Sequence, residues 1–359
     1  MALIHTDVLT FAIALVATLG ITVPVRSLAL HYGLVDQPGP RKVHLKPIPL
    51  LGGIAIYLGF VLAILATLHN EPRQQIASIV VGATLVAMVG FLDDRGLLHH
   101  QVKLFVGMPV AALILIASGI RAQLFSRFIA GAAGMILDVC FTIFWVVGIT
   151  AAFSILDHMD GLCAGIAAVA AAFFTLAAAM NGQTMVRTLG AAVLGAALGF
   201  LRWNFNPAKI FMGDGGAMLL GFLMATLGLK IRPEGAAFPA SWLVPILILG
   251  VPIFDTSLVS ISRARRGLIP FTSPGKDHTA HRLSNLGLGH RGGVLALYCL
   301  GALYGALALL VPHLPPVAAC ALTGILVAGG LGAVFFLESV PYERQAKIKK
   351  SEPQPAPGS

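Results

Sequence analysis

The sequence predicts an all-α, polytopic helical membrane protein. Of its 359 residues, 57% are hydrophobic and only 11% are charged, whereas a soluble domain carries about 25% charged residues. Long uncharged apolar runs recur along the whole chain, and the short alternating segments typical of membrane β-barrels are absent from it. Because every backbone polar group in lipid needs an internal partner, such runs form helices.

Eleven apolar segments are candidate spans, and ten remains an alternative because the shorter ones can be broken or merged. Each is close to the ~20 residues that a helix needs to cross the hydrocarbon. The first run lacks a basic leader and a small-residue cleavage site, which favours a transmembrane helix over a signal peptide. The segments are 7–26, 48–68, 76–92, 102–119, 135–154, 163–180, 187–201, 215–230, 242–260, 293–312 and 316–337.

The connections between these spans alternate in charge. All but six of the 24 Lys and Arg residues lie in or beside one alternating set of connections, which the positive-inside rule places in the cytoplasm. The N-terminus is then outside and the C-terminus inside. We expect one transmembrane catalytic domain over 1–340 and a disordered cytoplasmic tail over 341–359. The six exceptions, on the predicted outer side, are Arg73, Arg121, Arg127, Arg187, Lys230 and Arg232.

The formal net charge of +9 indicates membrane orientation and anionic lipid or phosphate ligands, and it does not indicate nucleic acid. The four cysteines lie in apolar stretches without metal-ligand or disulfide spacing. We interpret them as small buried hydrophobic residues.

Six aspartates lie at span ends or inside a span on the predicted cytoplasmic side. "GFLDDRG" ends an apolar run with two carboxylates, and "SILDHMDGL" places two acids on one helix face. Glycines surround the acid of "KIFMGDGGAMLLGF", where they permit close approach of a phosphate to the backbone. Together the acids suit Mg²⁺ with a phosphate ligand, and ordinary solvated loops are the alternative. They are Asp93, Asp94, Asp157, Asp160, Asp214 and Asp255.

The segment "SPGKDHTAHRLSNLGLGHRGG" contributes His278, His281 and Arg282. Two histidines suggest zinc, but no cysteine or third ligand at helical spacing accompanies them, so phosphate or sugar contact is the preferred interpretation. Ordinary polar loop histidines are the alternative. A second basic group precedes the second span, with a positive-inside patch as its alternative; it comprises Arg41, Lys42, His44 and Lys46.

Five motifs, taken in order, resemble one superfamily over nearly the whole chain. They are "DQPGPRKVHLKPIPLLGG", "GFLDDR", "LDHMDGL", "FLRWNFNPAKIFMGDGGAMLLGF" and "DHTAHRL". The resemblance is to the polyprenyl-phosphate N-acetylhexosamine-1-phosphate transferases, the MraY/WecA-type membrane enzymes. It implies that a lipid phosphate attacks the β-phosphate of a UDP-sugar, with Mg²⁺ (or Mn²⁺) as cofactor, and that UMP is released.

The resemblance also implies roles for particular residues. Asp93 and Asp94 would face the lipid phosphate, Asp214 would be the principal metal ligand, and Asp157 and Asp160 would support the metal and nucleotide site. The catalytic set is these five, and the metal ligands are Asp214, Asp157 and Asp94. The implied substrate-binding residues are Arg41, Lys42, His44, Lys103, Asn204, Lys209, Asp255, His278, His281 and Arg282.

The sequence departs from the family pattern at four positions, Ala151, Ser154, His158 and Ala280, in place of two asparagines, a glycine and a histidine. The histidine loop and the span count favour the branch that uses UDP-N-acetylglucosamine, so the enzyme would begin a lipid-linked cell-envelope polysaccharide. The alternatives are a phospho-MurNAc-pentapeptide transferase of peptidoglycan synthesis, a catalytically impaired homologue that binds lipid, and a transporter. We expect a multi-pass plasma-membrane protein with a cytoplasmic active site, and a homodimer is left open.

Overall fold

The computed structural model describes residues 2–37, 47–68, 71–98, 100–232, 240–268 and 275–340. Two π-helical turns, Lys103–Gly107 and Ser284–Leu288, join α4 to α5 and α12 to α13, and a 3-10 turn, Val311–His313, follows α13. The helices are α1 Ala2–His31, α2 Gly52–Thr67, α3 Arg73–Asp94, α4 His100–Val102, α5 Met108–Ala117, α6 Ala132–Leu156, α7 Leu162–Met180, α8 Thr184–Asn204, α9 Gly213–Lys230, α10 Ala240–Ile248, α11 Gly250–Arg265, α12 Thr279–Leu283, α13 Gly289–Leu310 and α14 Pro316–Ser339.

The predicted all-α, polytopic membrane fold is confirmed. Each of the eleven predicted segments overlaps a helix. Seven described helices are long and apolar enough to cross a membrane, or eight when the bent pair α10 and α11 is one span. The segments Gly52–Thr67 and Lys103–Ala117 form shorter apolar helices. The number of eleven spans and the side of each terminus stay predictions, and the predicted tail 341–359 lies outside the described residues.

One short antiparallel pair of strands joins the end of α1 to the start of α2. The strands β1 (Val35–Asp36) and β2 (Ile48–Pro49) pair with Val35 opposite Pro49. Two residues are too few to show an alternating pattern, so the sequence does not predict this pair. It fixes the two ends of a connection whose middle, with Arg41, Lys42 and His44, lies outside the described residues.

Helix α9 is the centre of the bundle. It contacts α2, α3, α6, α7 and α8, and all of its residues except Asp214 and Lys230 are buried. Small residues permit this packing, because close helix contact in membranes depends on them. A Cβ atom on Gly53 would lie 2.4 Å from the backbone nitrogen of Gly216, and one on Gly90 would lie 2.6 Å from the Cα of Gly215. The glycines therefore bring α2 and α3 against the start of α9.

Two irregularities in the helices lie beside predicted site residues. The π-helical turn Lys103–Gly107 begins at Lys103, and such turns often occur at functional sites. The pair α10 and α11 bends by 71° at Leu249, between Pro245 and Pro252, and α11 then carries Asp255. Proline removes a backbone donor and disrupts the helix at such positions.

The two ends of the bundle carry different side chains. The end of α3, the end of α6 and the start of α9 bring predicted cytoplasmic acids to one end. The end of α9 lies at the other, about 27 Å away for 18 residues at 1.5 Å each. There Lys230 binds Gln75 and Arg232 binds Gln183. Loops that the positive-inside rule assigns to different sides thus lie at opposite ends of the bundle, and the side of each stays a prediction.

Candidate active site

A lysine lies between two of the predicted catalytic acids. The Nζ atom of Lys103 is 2.6 Å from Oδ2 of Asp93 and 2.6 Å from Oδ2 of Asp214. The other oxygen of Asp214 accepts a hydrogen bond of 2.7 Å from the hydroxyl of Ser154. Four helical segments thus position this group: α3, the π-helical turn, α6 and α9. Lys103, predicted to hold a phosphate, is bound to two carboxylates in this structure.

Asp94 caps the N-terminus of α9. Its carboxylate accepts the backbone N–H of Asp214 at 2.9 Å and that of Gly215 at 3.3 Å, which satisfies two donors that a helix start leaves open. Gly213 has φ +69°, and a Cβ atom there would lie 2.4 Å from Asp94. The glycine at this position is therefore required by both the backbone conformation and the approach of the carboxylate.

Asp157 is the acid of this group that the protein leaves unsatisfied. Within the described part of the chain, no hydrogen bond or ion pair reaches its carboxylate. Burial raises the pKa of Asp157 well above its ordinary value, and the negative charges of Asp214, Asp94 and Asp160 raise it further. Asp157 is half-buried, and a partly desolvated carboxylate beside other carboxylates favours a bound cation.

Asp160 and Asn204 hold the loop that precedes α9. Asp160 accepts hydrogen bonds of 3.0 Å from the side chain of Asn206 and the backbone of Ala208. The amide of Asn204, which is 2% exposed, accepts from the backbone of Gly161 and donates to the carbonyl of Ile210. Both side chains are thus occupied by protein atoms, and their predicted catalytic and substrate-binding roles stay predictions. Lys209 is exposed, with Nζ 5.6 Å from the ring centroid of Trp203.

Three histidine rings form a second cluster. Nδ1 of His278 is 2.9 Å from Oδ2 of Asp255, whose other oxygen accepts the backbone N–H of Thr279 at 2.7 Å. The ring of His158 stacks on that of His278 with centroids 3.9 Å apart. The ring of His281 lies 5.0 Å from that of His158. Asp255, predicted as an intramembrane functional acid, therefore orients His278.

His158 presents a nitrogen lone pair to this cluster. Its Nδ1 is 3.2 Å from the carbonyl oxygen of Ile155, which only accepts, so Nδ1 carries the proton. Burial and the neighbouring His278 lower the pKa of His158 well below its ordinary value, which keeps the ring neutral. Nε2 is then an acceptor, and it is buried without a hydrogen-bond partner among the described residues.

Three side chains of this cluster carry atoms that could bind a metal ion. Ligand atoms of His158, Asp255 and His278 lie within 4.8 Å of one another. The planes of the two imidazoles differ by only 22°, and the ring centroids are 3.9 Å apart, so the lone pairs of the two rings lie in separate, nearly parallel planes. A metal needs ligand lone pairs that converge on one point. The stack therefore does not fit a shared metal ion, in agreement with the preference for phosphate or sugar contact.

Buried charge pairs fix the histidine loop. Two nitrogens of Arg263 contact Asp277 at 2.9 and 3.0 Å, and Arg266 adds a further contact. These cations lower the pKa of Asp277 to about 2 against the opposing effect of burial. Arg282 is fully buried, and its guanidinium donates to the Asp277 carbonyl, Ser262, the Leu337 carbonyl and Glu338. Its predicted contact with the sugar nucleotide stays a prediction.

The structure thus brings the predicted residues together in two adjacent groups. The first, here called the carboxylate cluster, is Asp93, Asp94, Lys103, Ser154, Asp157 and Asp214. The second, the histidine cluster, is His158, Asp255, His278 and His281. The consecutive residues Asp157 and His158 join them. The sequence did not predict the hydrogen bond from Ser154 to Asp214. It also did not predict the contact of Glu338 with Arg282, because the two residues are far apart in the chain.

The carboxylate cluster offers the kind of ligands that the implied Mg²⁺ ion requires. Mg²⁺ takes hard oxygen ligands, usually one or two carboxylates with substrate phosphates. The carboxylate cluster contains oxygen donors, and Asp157 is unsatisfied beside Asp214 and Asp94. The residues therefore fit the ion.

Fold and site together define a class, an integral membrane protein with a carboxylate cluster and a histidine cluster at one end of its helix bundle. Residues 76–232 match the family described as glycosyl transferase family 4. The chain is 37% identical over 311 residues to a probable undecaprenyl-phosphate N-acetylglucosaminyl 1-phosphate transferase of Bacillus subtilis, covering 85% of this chain and 84% of the relative.

Two further relatives carry similar names. A decaprenyl-phosphate N-acetylglucosaminephosphotransferase of Mycolicibacterium smegmatis is 33% identical over 307 residues, with 76% of this chain and 74% of the relative covered. An undecaprenyl-phosphate alpha-N-acetylglucosaminyl 1-phosphate transferase of Escherichia coli (strain K12) is 28% identical over 302 residues, with 80% and 79% covered. The chain belongs to glycosyl transferase family 4, an enzyme family, and the resemblance seen in the motifs is confirmed.

Proposed function

We propose that this protein transfers N-acetylglucosamine-1-phosphate from UDP-N-acetylglucosamine to a polyprenyl phosphate, releasing UMP. The observation that carries the proposal is the convergence of Asp93, Asp94, Asp157 and Asp214 with Lys103 at one end of the bundle. The names of the relatives support the acceptor and the sugar. The proposed location is the plasma membrane, with the site at the cytoplasmic face, and the charge bias of the connections supports this side.

The reaction forms a bond between an oxygen of the lipid phosphate and the β-phosphorus of the UDP-sugar. The bond from that phosphorus to the bridging oxygen breaks, and UMP leaves with the electron pair. A phosphate monoester has a second pKa of about 6, so the nucleophile is largely ionised at neutral pH and needs no strong general base. The chain's task is therefore to hold phosphates in line and to neutralise their charge.

The residues divide this task. Asp214 and Asp157, with Asp94 beside them, would hold Mg²⁺, which when bound offsets negative charge on the phosphates. Lys103 supplies a fixed positive charge in the carboxylate cluster, where it binds both Asp93 and Asp214. Asp94 orders the start of α9 by accepting two of its backbone N–H groups, and so fixes the position of Asp214.

The histidine cluster contributes to the donor side of the site. Asp255 fixes the ring of His278, so the free nitrogen of that ring points in one direction. His281 lies beside it and extends the same surface. Arg282 positions the loop from within, through its contacts with Ser262 and Glu338.

The test is UMP release by the purified protein in nanodiscs with Mg²⁺ and undecaprenyl phosphate. UDP-N-acetylglucosamine, UDP-N-acetylgalactosamine and UDP-MurNAc-pentapeptide are supplied separately. We expect UMP from the first sugar nucleotide, and only with the lipid phosphate present. UMP from the pentapeptide substrate alone would establish the alternative transferase. No UMP from any donor, by folded protein that still binds the lipid phosphate, would indicate an impaired homologue.

A further inference from the structure

Four positively charged side chains meet at the end of the bundle opposite the carboxylate cluster. Two cavities of about 110 and 190 Å³ adjoin each other there, and Arg232 lines both. Arg127 lines the first, and Arg121 and Lys230 line the second. The sequence assigns only six Lys and Arg residues to this predicted outer side, so most of its positive charge lies around one pair of cavities.

Neutral groups hold two of these cations in place. The guanidinium of Arg232 donates to the carbonyl oxygens of Leu229 and Ile231, and more weakly to that of Arg121 at 3.5 Å. The Nζ atom of Lys230 donates to the side-chain oxygen of Gln75 at 2.6 Å. Carbonyl and amide oxygens orient a cation without cancelling its charge, so a net positive field remains in the cavities.

Few acids oppose this field. None of the described residues that line the two cavities is acidic. Glu71 acts on Lys230 from the start of α3, and the carboxylate of Asp138 is bound to the backbone N–H groups of residues 124–126. Burial lowers the pKa of Arg232, and the positive charge of Arg127 lowers it further. Of the acids among the described residues, Glu71 therefore acts on one of these four cations, and Asp138 is already engaged by backbone N–H groups.

The surroundings indicate the depth of lipid head groups. In the connection that carries Arg127, Phe128 is 69% exposed and Ile129 is 40% exposed. Trp242 lines the cavity beside Arg127. Tryptophan is enriched at the interface between hydrocarbon and water, so Trp242, with exposed apolar side chains nearby, favours this depth for the cavity. An anion that reaches this cavity along the protein surface would be part of a lipid.

We propose that these cavities bind the phosphate group of an anionic membrane lipid, at the end of the bundle opposite the transfer site. The shared chemistry is a phosphate oxygen held by Arg121, Arg127 and Arg232. It can come from a lipid head group or from free phosphate, and the exposed Phe128 favours the lipid. The site does not depend on the proposed transfer reaction.

The experiment measures lipid binding by native mass spectrometry of the full chain, titrated with phosphatidylglycerol, with phosphatidylcholine or with inorganic phosphate. The variants are Arg121→Gln and Arg127→Gln, and the matched control is Arg73→Gln, which removes an exposed cation of the same predicted side that lines neither cavity. We expect phosphatidylglycerol to bind and each cavity variant to weaken it about fivefold, while the control leaves it unchanged. Thermal unfolding of each variant checks that the chain is folded.

Three results would overturn the proposal. Equal weakening by all three variants would show attraction by overall charge without a site. Equal binding of phosphatidylcholine would remove the role of the anion. Binding of inorganic phosphate with the same dependence on Arg121 and Arg127, and none of phosphatidylglycerol, would leave an anion site for a soluble ligand only. UMP release is measured separately in the same variants, so a failure of the proposed transferase activity is distinguishable from a failure of lipid binding.

Discussion

The carboxylate cluster and the histidine cluster are neighbours, but the first has a surplus of negative charge and the second has its charges paired. In the first, one lysine faces four acids, and Asp157 has no partner among the described residues. In the second, Asp255 is matched by His278 and the backbone, and the loop below it is fixed by buried Arg282. A surplus of negative charge has to be offset by ligands, whereas satisfied pairs fix geometry. Changes in the first cluster should therefore reduce turnover, and changes around the second should reduce stability.

Asp214→Asn tests the first half of this comparison most strongly. The amide keeps the shape of the side chain but removes one negative charge from the group that would hold Mg²⁺ and that binds Lys103 and Ser154. We expect kcat for UMP release to fall about 10³-fold, or ~4 kcal/mol of transition-state stabilisation, with the midpoint of thermal unfolding nearly unchanged. Unchanged Mg²⁺-dependent turnover would contradict the assignment of the active site to the carboxylate cluster.

Arg282→Met tests the second half. The variant removes a fully buried cation that donates to Glu338 and to the carbonyl of Leu337. Glu338 then keeps only the longer contact with Arg265 at 3.8 Å among the described residues. We expect a loss of about 3 kcal/mol in unfolding free energy, measured by thermal or denaturant unfolding in detergent. Glu338→Gln is the matched control, and it should cost less because that side chain is 15% exposed. A stable Arg282→Met protein with a raised KM for the sugar nucleotide would restore the predicted substrate contact.

Lys103→Met also tests the carboxylate cluster, and we expect it to lower kcat less than Asp214→Asn does. Without the ammonium, Asp93 and Asp214 face each other with no cation between them. We expect kcat to fall about 10²-fold, or ~2.7 kcal/mol, while Lys103→Arg retains part of the activity because the charge is kept. Equal losses in both variants would show that the shape of lysine matters and its charge does not. The readout is UMP release at saturating substrates.

The sequence predicted the helical membrane fold because a long apolar run in lipid can pair all of its backbone polar groups only as a helix. It did not predict where α10 and α11 separate, since Pro245 lies within a run whose composition is uniformly apolar. Nor did it predict the strands Val35–Asp36 and Ile48–Pro49. Local patterns carry no information on a pair of two-residue strands that forms across a connection.

For the site, the sequence supplied the acids and histidines but could not rank them. Asp157 and Asp160 lie three residues apart on one predicted face, and the structure leaves the first unsatisfied and uses the second to hold Asn206 and Ala208. The difference arises from the fold of residues 205–212, which is distant in sequence. Arg282 is likewise predicted to contact phosphate or sugar, whereas packing against the end of α14 buries it and engages its guanidinium with protein atoms.

His158→Gly carries the smallest expected effect and tests how the two clusters are joined. His158 stands where the family pattern has glycine, and its ring covers one face of His278. Removing the ring leaves Asp255 as the constraint on His278, so we expect KM for the sugar nucleotide to rise about threefold, or ~0.7 kcal/mol, with kcat nearly constant. His158→Phe is the matched control, because it keeps a stacked ring but lacks the lone pair of Nε2. If stacking is what matters, Phe preserves the KM. If Phe raises KM as much as Gly does, the buried acceptor itself binds a donor group of the substrate, and the histidine cluster then recognises the nucleotide sugar through His158 as well as His278.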